Sequence, residues 1–184
     1  MRVRALALVL VFLVALPALA ANIRDLKATW SGKAMELSWV LEGAFPDEVR
    51  EQIQSGDELR FTCTVQLRRK RSFLDKLVAS REVTLTVRFS NLTKMYSLTR
   101  SIDGTVTDQD VTERAGDMLT WMSRFKDPAL FDSGDLDESG TYYLKVKAKL
   151  LERPHLLLIP GSLETGWAEV PPFAIRIDRG EVEP

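Results

Sequence analysis

Between Glu58 and Phe89 the chain spells out two runs in which apolar and polar side chains strictly alternate. In the first, Leu59, Phe61, Cys63, Val65 and Leu67 are separated by Arg60, Thr62, Thr64 and Gln66. In the second, Val83, Leu85, Val87 and Phe89 are separated by Thr84, Thr86 and Arg88. A strand turns successive side chains to opposite faces, so each run presents one apolar and one polar face. The two runs predict an antiparallel pair at the centre of the fold. Odd-numbered positions must face odd-numbered positions if both apolar faces are to share a core. That parity brings Cys63 near Leu85 or Val87. The connection, Arg69 to Ser80, is long for a hairpin.

The rest of the chain supplies partners for this pair. Ile23 to Trp30 alternates loosely, and Met35, Leu37, Trp39 and Leu41 alternate cleanly after a turn at Ser31-Gly32-Lys33. Pro46-Asp47-Glu48 favours a helix start, Val49 and Ile53 share one face, and Gly56 stands where a helix ends. This short helix must lie against the sheet. Lys94 to Ser101 reads as a strand, and Asp103-Gly104 as a turn. Val111, Ala115, Met118, Leu119, Met122 and Phe125 recur at three and four, which predicts a helix over Asp108–Phe125, stopped by Asp127-Pro128. Tyr142, Leu144, Val146, Ala148 and Leu150 alternate with Lys145, Lys147 and Lys149 in a strand from Thr141 to Leu151. A last strand runs from Trp167 to Ile177. There Pro171-Pro172 cannot donate ladder bonds and demands an edge or a bulge. The expected fold is mainly β: an antiparallel two-sheet sandwich of about seven strands, with an accessory helix of about 18 residues and one short helix.

Domain organisation and compartment follow from the ends. Arg2 and Arg4 precede an apolar run from Ala5 to Leu16; Pro17 ends it, and Ala18-Leu19-Ala20 has the small-residue pattern of a cleavage site. The run is shorter than the ~20 residues of a spanning helix, so a secretory signal over 1–20, cut after Ala20, is favoured over a retained anchor. The expected location is periplasmic. Residues 21–178 are expected to form one domain, with 179–184 a frayed tail. Apolar residues make up 45% and charged residues 28%, which excludes bulk disorder. A formal charge of -1 gives no support to a nucleic-acid partner. With a single cysteine no internal disulfide can form, and Cys63 on the apolar face reads as a small buried hydrophobe.

Chemistry is sparse. The one histidine, His155, stands beside Pro154 in a loop, and one Cys with one His nearly excludes zinc. Asp132, Asp135, Asp137 and Glu138 do not have the spacing of a calcium loop. No phosphate-binding glycine loop and no nucleophile elbow is present in the sequence. No cofactor, metal or catalytic residue is expected, and the protein is not expected to be an enzyme. The strongest surface signal is the basic loop Arg68 to Lys76, where Arg68, Arg69, Lys70 and Arg71 precede Phe73 and Leu74. Such a tip suits an anionic membrane surface or a protein partner. Its plain alternative is a solubilising hairpin end with Phe73 and Leu74 folded back on the sheet. Met118 and Met122 are candidates to line a pocket for a small apolar or lipid ligand, between the sheets or under the helix.

The order of these stretches carries a resemblance. VREQIQSGDELRFTCTVQL, the basic loop RRKRSFLDKLVA, VRFSNLTKMYSLTR, a helix, GTYYLKVKAKLL and a Pro-containing passage to a terminal Trp strand follow one another. This arrangement resembles the bacterial DUF4390 family over nearly all of the chain beyond the signal. The family more often carries aromatics where this loop has Ser72-Phe73-Leu74. The resemblance implies an envelope protein linked through neighbouring genes to a membrane sensor kinase, and it brings no activity and no site residues. The expected function is a periplasmic, non-enzymatic interaction domain that binds an envelope protein, a sensor kinase among the candidates, or the membrane surface. The rival is a carrier of a small apolar ligand.

Overall fold

The structure is a computed structural model, and it describes residues 21–31, 34–132, 136, 140–151 and 164–174. In chain order these form β1 (Asn22–Ser31), β2 (Ala34–Glu42), α1 (Asp47–Gln54), β3 (Glu58–Arg69), β4 (Lys76–Ser90), β5 (Met95–Ile102), β6 (Thr105–Thr112), α2 (Ala115–Ser123), β7 (Arg124–Asp132), β8 (Thr141–Leu151) and β9 (Ala168–Ala174). The strands make two antiparallel sheets, one ordered β1-β2-β7 and the other β6-β5-β4-β3-β8-β9. Their inward side chains share one core.

The central pair obeys the parity that alternation demands. Leu59 faces Val87, Phe61 faces Leu85, and Cys63 faces Val83, one pair short of the expected Leu85 or Val87. On the other side of β3, Phe61 faces Leu150, Cys63 faces Ala148 and Val65 faces Val146. All of these side chains are buried. Burial pushes the Cys63 thiol up to about 12, since the thiolate has nothing to solvate it.

Bulges account for the irregular passages. In β1, Asp25 and Leu26 together oppose Trp39, and Asp25 has φ 52°. The extra residue shifts the inward set from Ile23 to Leu26 and Ala28, which is why the alternation there looks loose. In β9 the register passes from Tyr142↔Phe173 to Leu144↔Val170, so Pro171 and Pro172 bulge opposite Tyr143. That strand is also the sheet's edge, where the two missing N–H groups cost nothing.

The helix expected over Asp108–Phe125 is not what forms. Thr105–Thr112 is strand β6, only Ala115–Ser123 is helical, and Phe125 already belongs to β7. The cause at the front is the hairpin. Asp103 (φ 49°) and Gly104 (φ 81°) are the two central residues of a turn that pairs Ile102 with Thr105, and two positive φ angles give the twist that continues a hairpin. The β-branched Thr105, Val106, Thr107, Val111 and Thr112 then favour extension. At the back, Phe125 stacks on Trp39 with centroids 3.8 Å apart, and β7 pairs Arg124–Lys126 with Ser38–Val40. Tertiary pairing outweighs helical periodicity there. The strand count is therefore nine among the described residues rather than about seven, β6 and β7 being the additions.

α1 forms as expected. Val49 and Ile53 are buried, and Gly56 (φ 97°) ends the turn, where a Cβ would also press on the Asn91 side chain at 3.1 Å. The turn at Asn91 in turn anchors back, its Nδ2 donating to the Ser55 carbonyl at 3.2 Å.

Candidate functional site

β3 and β4 end in a tip whose loop is shorter than expected: β4 begins at Lys76, so only Lys70–Asp75 connects the strands. Register slips between Leu67 and Arg68, with Val78 as the extra residue. This loop is tied down by one carboxylate. Asp75 Oδ1 accepts from the Arg71 backbone N–H at 3.1 Å, and Oδ2 accepts from the Tyr143 hydroxyl at 2.7 Å. Arg68 closes the circuit, its Nη2 donating to the Asp75 carbonyl and its Nη1 to Gln66 Oε1, both at 3.1 Å. The Lys70 N–H donates to the Thr141 carbonyl at 2.8 Å, fixing the start of the loop to β8.

The electrostatics agree with the geometry. The Tyr143 hydroxyl, the Arg71 N–H and nearby Lys70 and Arg68 hold the Asp75 carboxyl below the usual carboxylate range. Tyr143 moves the other way: burial pushes its phenol up, and donation to Asp75 adds to the shift.

The clamped loop presents its apolar residues to solvent. Phe73 is 100% exposed and Leu74 83% exposed, so neither folds back on the sheet. Beneath them lies a concavity of about 500 Å³, lined also by Gln66, Arg68, Tyr143, Lys145 and Trp167. Lys145 pairs with Glu169 at 2.6 Å, and Lys147 pairs with Glu164 while lying 6.0 Å from the Trp167 ring.

Of the six residues marked in the sequence as a contact surface, Lys70, Arg71, Phe73 and Leu74 are exposed at the tip. Arg68 is part-buried and spends its guanidinium on the loop, and Arg69 closes the ladder opposite Lys76 and Tyr142. Asp75, Tyr143 and Trp167 were missed. Arg68 and Tyr143 are direct cross-strand neighbours, and that adjacency needs the β3–β8 register, which alternation alone does not supply.

Met118 and Met122, marked in the sequence as candidates to line a pocket, are both buried in the core on α2, and neither lines the cleft on the Thr120–Trp121 side of that helix. Asp132 is exposed at the end of β7, while Asp135, Asp137, Glu138 and His155 lie outside the described residues. Among the described residues no three His, Cys, Asp or Glu side chains gather to hold a metal ion.

No match was found for the chain among curated proteins or solved structures. The model of one family, described as a domain of unknown function (DUF4390), matches residues 18–157. That span holds α1, the clamped tip and β1 through β8, and on it the chain belongs to the DUF4390 family.

Proposed function

We propose that this is a periplasmic, non-enzymatic interaction domain that docks through the Lys70–Asp75 tip onto an anionic membrane surface. The observation that carries the reading is the combination of Phe73 and Leu74, wholly presented to solvent, with a loop that Asp75, Tyr143 and Arg68 hold rigid. An exposed apolar pair rimmed by basic residues is the kind of patch that marks a membrane or protein contact. A rigid loop also binds with little ordering cost. Lys70, Arg71 and Lys76 surround the pair and are exposed. Basic residues near an anionic lipid surface contribute about 1 kcal/mol each, and burying a Phe or Leu side chain contributes about 1.5–3 kcal/mol. The two terms act together at the depth where headgroups meet acyl chains. The apolar run that precedes Pro17 supports delivery to the periplasm, where membrane surfaces bound the compartment.

Co-sedimentation with lipid vesicles tests the proposal. Purified protein is expected to pellet with vesicles containing phosphatidylglycerol, and to pellet poorly with phosphatidylcholine alone or at high salt. Phe73→Ser with Leu74→Ser, and separately Lys70→Glu with Arg71→Glu, should each abolish recovery. Wild-type protein that stays in the supernatant with anionic vesicles would sink the membrane reading, and crosslinking of the same tip to an envelope protein would move it to a protein partner.

A further inference from the structure

A second cleft, of about 660 Å³, opens on the side of α2 that carries Thr120 and Trp121. Its walls come from β1, β2, β5, β6, α2 and β7, so only the assembled fold creates it. Arg100 is its fixed point. The guanidinium carbon lies 4.5 Å from the Trp121 ring centroid and 5.4 Å from that of Phe125. Nη1 donates to Asp108 at 2.9 Å and Nη2 to the Arg124 carbonyl at 3.2 Å, which leaves the side chain 11% exposed. A cation stacked on aromatic rings and bonded on two nitrogens cannot swing away.

Charge in the cleft is unbalanced. Lys27, Arg100, Arg124 and Lys126 line it against Asp25 and Asp108. Arg100 pairs with Asp108, and Lys126 pairs with Glu36 at 3.1 Å. Lys27, Arg124 and Asp25 are exposed and have no ion-pair partner among the described residues. At the bulge in β1 Asp25 stands opposite Trp39 and Lys27 pairs with Ser38, and both line the cleft.

We propose that this cleft binds an acidic sugar, a uronic-acid unit either alone or at the end of a glycan chain. The unpaired cations Lys27 and Arg124 suit its carboxylate. Asp25, Ser38 and Thr120 suit its hydroxyls, and the half-buried Trp121 indole offers a flat apolar surface to the C–H face of the ring. A simple organic anion fits less well, because it brings no donor for Asp25. An apolar ligand fits worse, because it would bury the cations without a partner. The volume is in the range of small-ligand sites.

The test uses the full purified protein and the Trp121 indole N–H resonance, assigned by its loss in Trp121→Phe. D-glucuronate is expected to shift that resonance at millimolar concentration, with D-glucose and acetate each about tenfold weaker. Lys27→Ala with Arg124→Ala should weaken glucuronate about tenfold, and because both side chains are exposed the rest of the spectrum should stay in place. Tighter binding of an oligouronate than of the monomer would assign the site to a chain end, and equal binding to the free sugar acid. The inference is overturned if glucuronate leaves the Trp121 resonance unmoved, if acetate moves it equally well, or if the double variant binds as the wild type does.

Discussion

Phe61 and Phe73 are the same side chain in opposite circumstances, and truncating each to alanine separates the core from the tip. Phe61 is 2% exposed; it faces Leu85 on β4 and Leu150 on β8, and its ring is tilted against Phe45 at 4.9 Å. Phe61→Ala removes buried area and leaves a cavity between three elements that cannot all close on it, costing about 3–5 kcal/mol. Against a total stability of about 5–15 kcal/mol, that is a large share. For a chain of this size each kcal/mol lowers the melting temperature by roughly 2–4 °C, so a fall of roughly 6–20 °C is expected. Phe73 is 100% exposed, hence as solvated when folded as when unfolded. Phe73→Ala should leave stability within about 0.5 kcal/mol of wild type. Thermal melts followed by circular dichroism, with urea titrations as a second measure, read both variants. Vesicle binding should rank them in reverse order. If Phe73→Ala melts as low as Phe61→Ala, the tip is packed rather than presented. If Phe61→Ala melts within about 2 °C of wild type, the shared core is not where the stability resides.

Three further outcomes can be checked. The Thr62 hydroxyl on β3 is buried with no hydrogen-bond partner among the described residues, so Thr62→Val should be neutral or stabilising by up to about 1 kcal/mol in urea titration; a loss beyond that would mean the hydroxyl is satisfied in solution. Cys63, its thiol held at about 12, should resist alkylation until the protein unfolds. Because its folded value lies above its ordinary one, its contribution is intact below the ordinary thiol range and declines as pH rises from there toward about 12, so Cys63→Ala should flatten the alkaline fall in stability. Asp75, held below its ordinary value by Tyr143 and the Arg71 N–H, stabilises the clamp above the normal carboxylate range and loses that contribution as pH falls through its lowered value. Asp75→Asn should remove this acid dependence from the loop's amide resonances and let the Tyr143 phenol titrate lower; an unchanged phenol titration would mean the 2.7 Å bond is not populated.

Much of the architecture is readable without coordinates. Alternation in β2, β3, β4 and β8 assigns each residue to the core or the surface, and the parity of Phe61 against Leu85 follows because only one face is greasy. The short helix ending at Gly56 and the bulged edge at Pro171-Pro172 follow from backbone chemistry at single residues. What misled was the stretch from Thr105 to Asp132. Its apolar spacing fits a helix, yet Asp103-Gly104 starts a hairpin and Trp39 draws Phe125 into a sheet.

The chain alone determined the dominance of strands, the inward faces of β2, β3, β4 and β8, and the basic tip between β3 and β4. The tertiary structure decided how nine described strands divide between two sheets. It also decided that Tyr143 reaches back 68 residues to clamp Asp75, and that Arg100 lies on Trp121 beside an open cleft. Period and turn chemistry act between residues a few positions apart, whereas strand order and side-chain partnership are settled by contacts between distant segments, whose energies exist only once the sheets have met.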